Sequence, residues 1–162
     1  MTSLGRDIQG GAFYSIEITF VAQKNEKTEF GLSLFHTKQQ DHWSGFSVGF
    51  DAAGKARYAM NSSDREMNGH DMNVGWTELK VAPPNPKEIT LRITVSEKNR
   101  ARFFNVWFWN AKKGEWLRAA PEIGFNANAV GPWRVAAWTR AWRDQDVLVF
   151  VDNIRILDQS RR

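Results

Sequence analysis

The chain has 162 residues, of which 42% are hydrophobic, 25% charged and 13% aromatic, and its formal net charge is +4. This length and composition predict one globular domain over residues 1–162, with a core large enough to need no metal or disulfide. The absence of cysteine excludes a disulfide framework, a thiolate nucleophile and a cysteine-ligated zinc.

Apolar residues alternate with polar ones in repeated short runs, and no stretch keeps the spacing of a substantial amphipathic helix. The pattern therefore predicts strands along the whole chain. The predicted strands are Ala12–Ala22, Glu29–His36, Trp43–Asp51, Ala56–Asn61, Thr77–Val81, Glu88–Val95, Ala101–Asn110, Trp116–Ala119, Pro132–Ala141 and Val147–Leu157.

The segments between these strands contain residues typical of turns. Gly54 and Gly114 mark two hairpins, while residues 62–75 and 120–131 are predicted as longer loops. Pro83 to Pro86 form a stiff connector, which we read as lying within one domain because neither half repeats the other. Short strands at hairpin spacing predict an all-β fold, a two-sheet antiparallel sandwich.

Alternation along two strands separates a core face from an outer face. We expect Ile89, Leu91, Ile93 and Val95, together with Phe104, Val106 and Phe108, to face the core. The opposite faces carry polar or aromatic residues, which is unusual for a solvent-facing surface and directs attention to them.

Five strand-like segments occur in an order that is known from another group of proteins. They are FYSIEITF at 13–20, FGLSLF at 30–35, GFSVGFD at 45–51, ITLRITV at 89–95 and VLVFVDNIRI at 147–156. The chain resembles the concanavalin A-like lectin/glucanase superfamily, including its laminin-G-like jelly rolls. The resemblance implies a jelly roll, a lectin-like or adhesive role, and an extracellular or cell-surface location. The chain lacks the Glu-x-Asp-x-x-Glu motif of the retaining glucanases and the His-x-Asn-x-Arg motif of galectins.

Two predicted strands, Ala101–Asn110 and Pro132–Ala141, carry the residue types that recognise sugars. Indoles stack on the C–H faces of pyranose rings, and Arg or Asn side chains bind the hydroxyl groups. If both strands lie in one concave sheet, these side chains share a groove whose floor is Gly45, Ser47 and Gly49. The alternative is that the indoles merely fill the outer face and stack with arginines. The predicted ligand-binding residues are Arg134, Trp138, Arg140, Trp142, Asn105, Trp107, Trp109, His42 and Trp43.

No pair of carboxylates has the spacing of a general acid and base. Glu17, Glu78, Glu115 and the loop acids Asp64 and Glu66 are therefore interpreted as solvated surface charges. A non-catalytic carbohydrate-binding module is the favoured function. A glycoside hydrolase or polysaccharide lyase using His42 or Glu17 remains the alternative, and a structural protein-interaction domain is the third hypothesis.

No metal or other cofactor is assigned. Residues 64–73 are rich in oxygen ligands but lack the EF-hand pattern, and Asp152–Asn153 is explained by a β-bulge as well as by a structural calcium. His36 is expected to end a strand. The expected partner is an oligo- or polysaccharide, with an anionic one left open by the basic residues. No membrane or nucleic-acid partner is predicted, and the oligomeric state stays open.

Overall fold

The computed structural model describes residues 2–8, 14–22, 29–39, 42–51, 53–61, 76–98, 101–125, 133–140 and 149–158. In these ranges no helix is long and apolar enough to cross a membrane. The strands are β1 (Thr2–Ile8), β2 (Tyr14–Ala22), β3 (Glu29–Gln39), β4 (His42–Phe50), β5 (Ala56–Asn61), β6 (Thr77–Glu78), β7 (Glu88–Lys98), β8 (Ala101–Asn110), β9 (Glu115–Arg118), β10 (Ile123–Phe125), β11 (Trp133–Arg140) and β12 (Val149–Asp158).

The strands form two antiparallel sheets, which confirms the predicted sandwich. The first sheet has the order β1-β11-β3-β4-β5-β6, and the second has the order β10-β8-β7-β2-β12, with β9 also paired to β8. Among the described strands, five consecutive pairs form hairpins, namely β3-β4, β4-β5, β5-β6, β7-β8 and β8-β9, and the other pairings join strands that are not consecutive in sequence. Among these other pairings, β11 lies between β3 and β1 in the first sheet and not beside β8.

Aromatic side chains join the two sheets at the centre of the sandwich. Phe46 of the first sheet stacks on Phe104 of the second, with ring centroids 4.4 Å apart and planes 8° from parallel. Phe20 of the second sheet packs against Phe30 at 5.3 Å. Each such fully buried side chain contributes about 1.5–3 kcal/mol to folding. The predicted core residues on β7 and β8 are buried as expected: Ile89, Leu91, Ile93, Val95, Phe104, Val106 and Phe108.

Two strands were absent from the sequence prediction. The strand β1 has no alternation of apolar residues, and it pairs with β11 at the end of the first sheet. The strand β10 is three residues long, too short for periodicity to show, and lies in the predicted loop 120–131. In addition, β3 continues to Gln39, so His36 lies inside the strand opposite Ser44 and does not end it.

The hairpin between β4 and β5 shows why its glycine is needed. Gly54 has φ of +78°, and its N–H donates to the Asp51 carbonyl at 2.8 Å. Asp51 Oδ1 also accepts the Lys55 N–H at 2.8 Å, which closes the turn. A side chain at Gly54 would be strained by this φ and would collide with Pro86.

The predicted bulge at Asp152–Asn153 is confirmed. The register of β12 against β2 shifts between Asp152 and Arg155, and Asn153 has φ of +53°. Its N–H donates to Asp152 Oδ1 at 2.7 Å. Asparagine tolerates this left-handed conformation better than most residues, so the Asp-Asn pair accounts for the irregularity.

Candidate functional site

Small residues pave the outer face of the first sheet. Antiparallel pairing aligns Ala136, Ser33, Ser47 and Ala59 in one row across four strands. All four are buried, yet they lie outside the hydrophobic core cluster. They are therefore covered from the outer side of the sandwich. Gly45 and Gly49 lie on the same strand face as Ser47, so the three small residues that the sequence singled out as a floor share this outer face.

The next row contains Trp138, which lies against the glycines of this floor. Register places Trp138 beside Gly31, and Gly31 beside Gly49. A Cβ added at Gly31 would lie 2.6 Å from Trp138 Cζ2 and 2.2 Å from the Val48 carbonyl oxygen. Only glycine lets the indole approach the backbone of β3 this closely, so Gly31 determines where Trp138 lies.

Trp76 contacts Trp138 across the outer face of the first sheet, and it comes from the β6 edge of that sheet. It directly precedes β6, and the strands β3, β4 and β5 separate β6 from β11. Strands are about 4.8 Å apart, so the two backbones are separated by several strand widths. The two rings are nevertheless 6.0 Å apart, with planes at 57°. The two indoles thus lean toward each other over the floor, and we call this half-buried pair the indole platform.

The row of small residues carries no charge, and its two hydroxyl groups are paired with each other. Ser33 Oγ and Ser47 Oγ hydrogen-bond to each other at 2.7 Å in a buried position. This pairing avoids the cost of two unpartnered buried hydroxyls. This row therefore provides shape rather than charge, whereas the adjoining row, which contains Gly31, continues into Arg57 and Glu78.

Charged residues lie along one margin of the platform. Lys55 Nζ and Glu78 Oε2 form an ion pair at 2.8 Å between exposed side chains. Glu29 is 7% exposed and pairs in register with Arg140 of β11. Because Glu29 alternates with the core residue Phe30, it belongs to the outer face, and sequence reasoning did not single it out.

The structure places the backbone of several predicted site residues around this face. Arg134 and Arg140 lie in β11, on the same strand face as Trp138 by alternation. His42 and Trp43 begin β4, the strand that also supplies Gly45, Ser47 and Gly49. The side chains of these four residues, and Trp142 altogether, lie outside what the structure describes, so their roles stay predictions.

The structure does not bring Asn105, Trp107 and Trp109 to the indole platform. These residues lie in β8, which belongs to the second sheet, and they face away from its core side chains. The hypothesis of one groove shared by both aromatic strands is therefore wrong. Alternation along a strand fixes which side chains share a face, but it does not fix which strands share a sheet.

Glu17 is not the solvated surface charge that the sequence predicted. Its Oε1 accepts a hydrogen bond from Arg92 Nε at 2.8 Å, and Arg92 Nη2 lies 2.7 Å from the same oxygen in an ion pair. The Glu17 side chain is only 14% exposed. The two residues face each other on β2 and β7, separated by 75 positions in the chain.

Arginines and tryptophans alternate across the outer surface of the second sheet. The Arg92 guanidinium lies 3.8 Å above the ring of Trp116, and Trp116 is 5.3 Å from Trp109. Arg118 lies 5.7 Å from the ring of Trp107 and donates to Asn105 Oδ1 at 2.5 Å. We call this surface the arginine–tryptophan face, consisting of Arg92, Trp107, Trp109, Trp116, Arg118 and Asn105.

Within the described ranges no group of three or more His, Cys, Asp or Glu side chains could hold a metal ion. The oxygen-rich loop 64–73 lies outside those ranges. Asp152 is occupied by its contacts with Asn153 in the bulge, to which both of its carboxylate oxygens contribute. The part of the chain that the structure describes therefore offers no constellation that argues for a metal centre.

Comparison with known proteins reveals a likeness of fold. A glycoside hydrolase of family GH43, engineered to display endo-xylanase and exo-arabinofuranosidase activity, superposes with a TM-score of 0.54 at 14% identity, covering 91% of this chain and 29% of that one. Scytalido-glutamic peptidase bound to a peptide-based transition-state analogue matches with a TM-score of 0.39 at 8% identity, covering 93% of this chain and 72% of that one.

The likeness to the glycoside hydrolase shows the all-β fold alone and does not extend to function. The chain spans less than a third of the length of the glycoside hydrolase, and the TM-score with the peptidase is too low to carry an argument. No protein-family model matches the sequence. No curated protein matches it either. Function must therefore be argued from the two outer faces.

Proposed function

We propose that the chain is a non-catalytic carbohydrate-binding module, of the concanavalin A-like class that its strand order resembles, and that it holds a saccharide on the indole platform. One observation carries this proposal: Trp76 and Trp138 meet, half-buried, over a floor of small residues. A surface that served only as core covering would gain more from burying both rings completely.

The geometry of the platform suits a pyranose ring. Two indoles inclined at 57° offer two flat apolar faces, against which the C–H face of a sugar can pack. Trp138 rests on Gly31 of β3, and Trp76 packs against Trp138, so the pair is assembled without a ligand. Preorganisation of this kind lowers the entropic cost of binding.

Hydroxyl recognition is assigned to the margins of the platform. Arg134 and Arg140 flank Trp138 along β11, and Trp142 follows them in the sequence. His42 and Trp43 lie at the start of β4 and are proposed to contact a longer oligosaccharide. Stacking on two indoles with a few hydrogen bonds predicts dissociation constants of about 10 μM to 1 mM, typical of a weak binding module.

A panel of neutral hexasaccharides tests the proposal, with tryptophan fluorescence as the first readout and calorimetry on each hit. We expect saccharide-dependent quenching that Trp138→Ala abolishes and Trp76→Ala weakens. The matched control is Phe103→Ala, which removes a half-buried aromatic ring from the second sheet, outside both proposed surfaces. The control should bind with unchanged affinity.

Two results would overturn the platform. Trp138→Ala with full affinity would remove the central indole from the site, and equal loss in the Phe103→Ala control would show that the loss in Trp138→Ala is not specific to the platform. A domain that binds no saccharide, in a screen that includes acidic polymers, would favour a protein-interaction role for the same surfaces.

A second candidate function, glycoside hydrolysis, is favoured by one feature of the same face. Glu29 is a buried carboxyl group, two residues from the Gly31 on which Trp138 rests. A buried carboxyl group near a sugar platform could serve as a general acid. Reducing-sugar release that disappears in Glu29→Gln would support the enzyme, whereas binding without release would support the module.

A further inference from the structure

We propose that the arginine–tryptophan face of the second sheet is a separate binding surface for an acidic saccharide, one that carries carboxylate or sulfate groups. Trp109 and Trp116 would stack on the sugar, and Arg118 would bind its anionic group. This proposal goes beyond the function proposed for the indole platform and does not depend on it.

Among the described residues of this face, several hydrogen-bond donors have no acceptor, whereas Glu17 Oε1 and Asn105 Oδ1 already accept hydrogen bonds. Among the described residues, Arg118 has one hydrogen-bond acceptor, Asn105 Oδ1, although a guanidinium carries five N–H donors. The Trp107 Nε1–H is buried nearby and has no acceptor. Glu17 already accepts from Arg92. A ligand that complements this surface must supply acceptor oxygens.

The charge of the face points to the same ligand chemistry. Arg155, Glu17, Arg92, Trp107 and Arg118 lie in one row across five strands. The single carboxylate of this row, Glu17, is bound to Arg92, so it does not neutralise the exposed Arg118 of β9. An exposed arginine with free donors recognises carboxylate or sulfate groups by two parallel hydrogen bonds.

Aromatic rings lie beside Arg118. Trp109 and Trp116 are half-buried, with centroids 5.3 Å apart and planes at 55°. Arg92 stacks against Trp116 at 3.8 Å and is itself held by Glu17, so the ring pair has a rigid support. A sugar packed against these rings can present its acidic group to Arg118 on the same strand as Trp116.

The test uses three probes, namely a galacturonate hexamer, a chondroitin sulfate hexasaccharide and neutral xylohexaose, titrated by calorimetry at low and near-physiological ionic strength. We expect Arg118→Gln to weaken binding of one or both acidic probes about tenfold, the loss typical of a charge-assisted hydrogen bond. The two acidic probes distinguish carboxylate from sulfate recognition. Binding should weaken with added salt.

Arg155→Gln is the matched control, because it removes the same charge from an exposed arginine of the same row on β12, far from the tryptophan pair. Its affinity for the acidic probe should stay within about twofold of the parent protein, since exposed charges beyond a Debye length are screened. Equal weakening by both substitutions would reveal unspecific attraction and overturn the proposal, as would full affinity in Arg118→Gln.

Trp138→Ala separates this surface from the platform. Acidic binding that persists in this variant supports two independent surfaces, whatever the variant does to neutral saccharides. Acidic binding that disappears in Trp138→Ala, while Arg118→Gln leaves it intact, would place the ligand on the first sheet and overturn the proposal.

Discussion

The two outer faces of the sandwich are covered by different kinds of side chain. Each sheet has a core side filled by Phe, Ile, Leu and Val, and each must cover its other side. On the first sheet, small residues form a row without charge, and the two indoles of Trp76 and Trp138 pack against each other over it. On the second sheet long side chains lie across neighbouring strands and bind one another.

The difference shows how local side-chain size determines the character of a surface. Gly31 and Gly49 leave room directly on the backbone, so Trp138 can lie close to the sheet. On the second sheet, Arg92 reaches past β8 to Trp116 and to Glu17 on its other side. The first face depends on shape, whereas the second depends on ion pairing and cation–π contact.

The largest effect is expected from removing the space on which the first face depends. Gly31→Ala places a Cβ 2.2 Å from the Val48 carbonyl oxygen and against Trp138, and should lower the free energy of unfolding by about 3 kcal/mol. Denaturant unfolding measures it. Gly124→Ala is the control, because its Cβ would meet only Phe103 at an ordinary 3.5 Å. Similar losses in both variants would contradict this account.

Breaking the ion pair tests the second face. Arg92→Met leaves the 14%-exposed Glu17 without its guanidinium and Trp116 without its cation, and should cost about 2 kcal/mol of unfolding free energy. Adding Glu17→Gln should recover part of the loss. The control is Lys55→Ala in the exposed Lys55–Glu78 pair, for which less than about 0.5 kcal/mol is expected. An Arg92 loss as small as the control's would show that the pair does not hold this face.

The smallest effect concerns the hydroxyl pair in the floor. Ser33→Ala leaves Ser47 Oγ buried without its partner at 2.7 Å, which should cost about 1 kcal/mol. The double variant Ser33→Ala with Ser47→Ala removes both polar atoms and should be more stable than the single variant. Thermal unfolding of the four proteins completes the cycle. Additive losses would mean that the two hydroxyls do not interact.

Much of the sandwich could be predicted from alternation. The strands around Ile89–Val95 and Phe104–Phe108 have a clear period of two, so their core faces were correctly predicted. The strand β1 could not be predicted in this way because its TSLGRDI sequence contains no regular apolar face. Its pairing is with β11, more than a hundred residues away, and local pattern carries no information on that.

The candidate site was predictable only in its components. Alternation grouped the small residues of β4 on one face and Trp138 with its neighbours on one face of β11, but only the pairing of both strands with β3 makes these faces adjoin. Trp76 was missed because it lies outside any apolar run, next to a stretch that looked like a loop. The Glu17–Arg92 pair was missed because it depends on the register between β2 and β7, which follows from packing rather than from either segment alone.

The bulge in β12 has a consequence for how the protein behaves at high concentration. Among the described strands, β12 is the edge strand of the second sheet. Because Phe150 and Leu157 are exposed, a regular strand at this edge would be prone to pair with other chains and aggregate. Asp152 and Asn153 interrupt its ladder between these two residues and add charge. A foreign strand cannot stay in register across that interruption, so this edge should resist fibril growth.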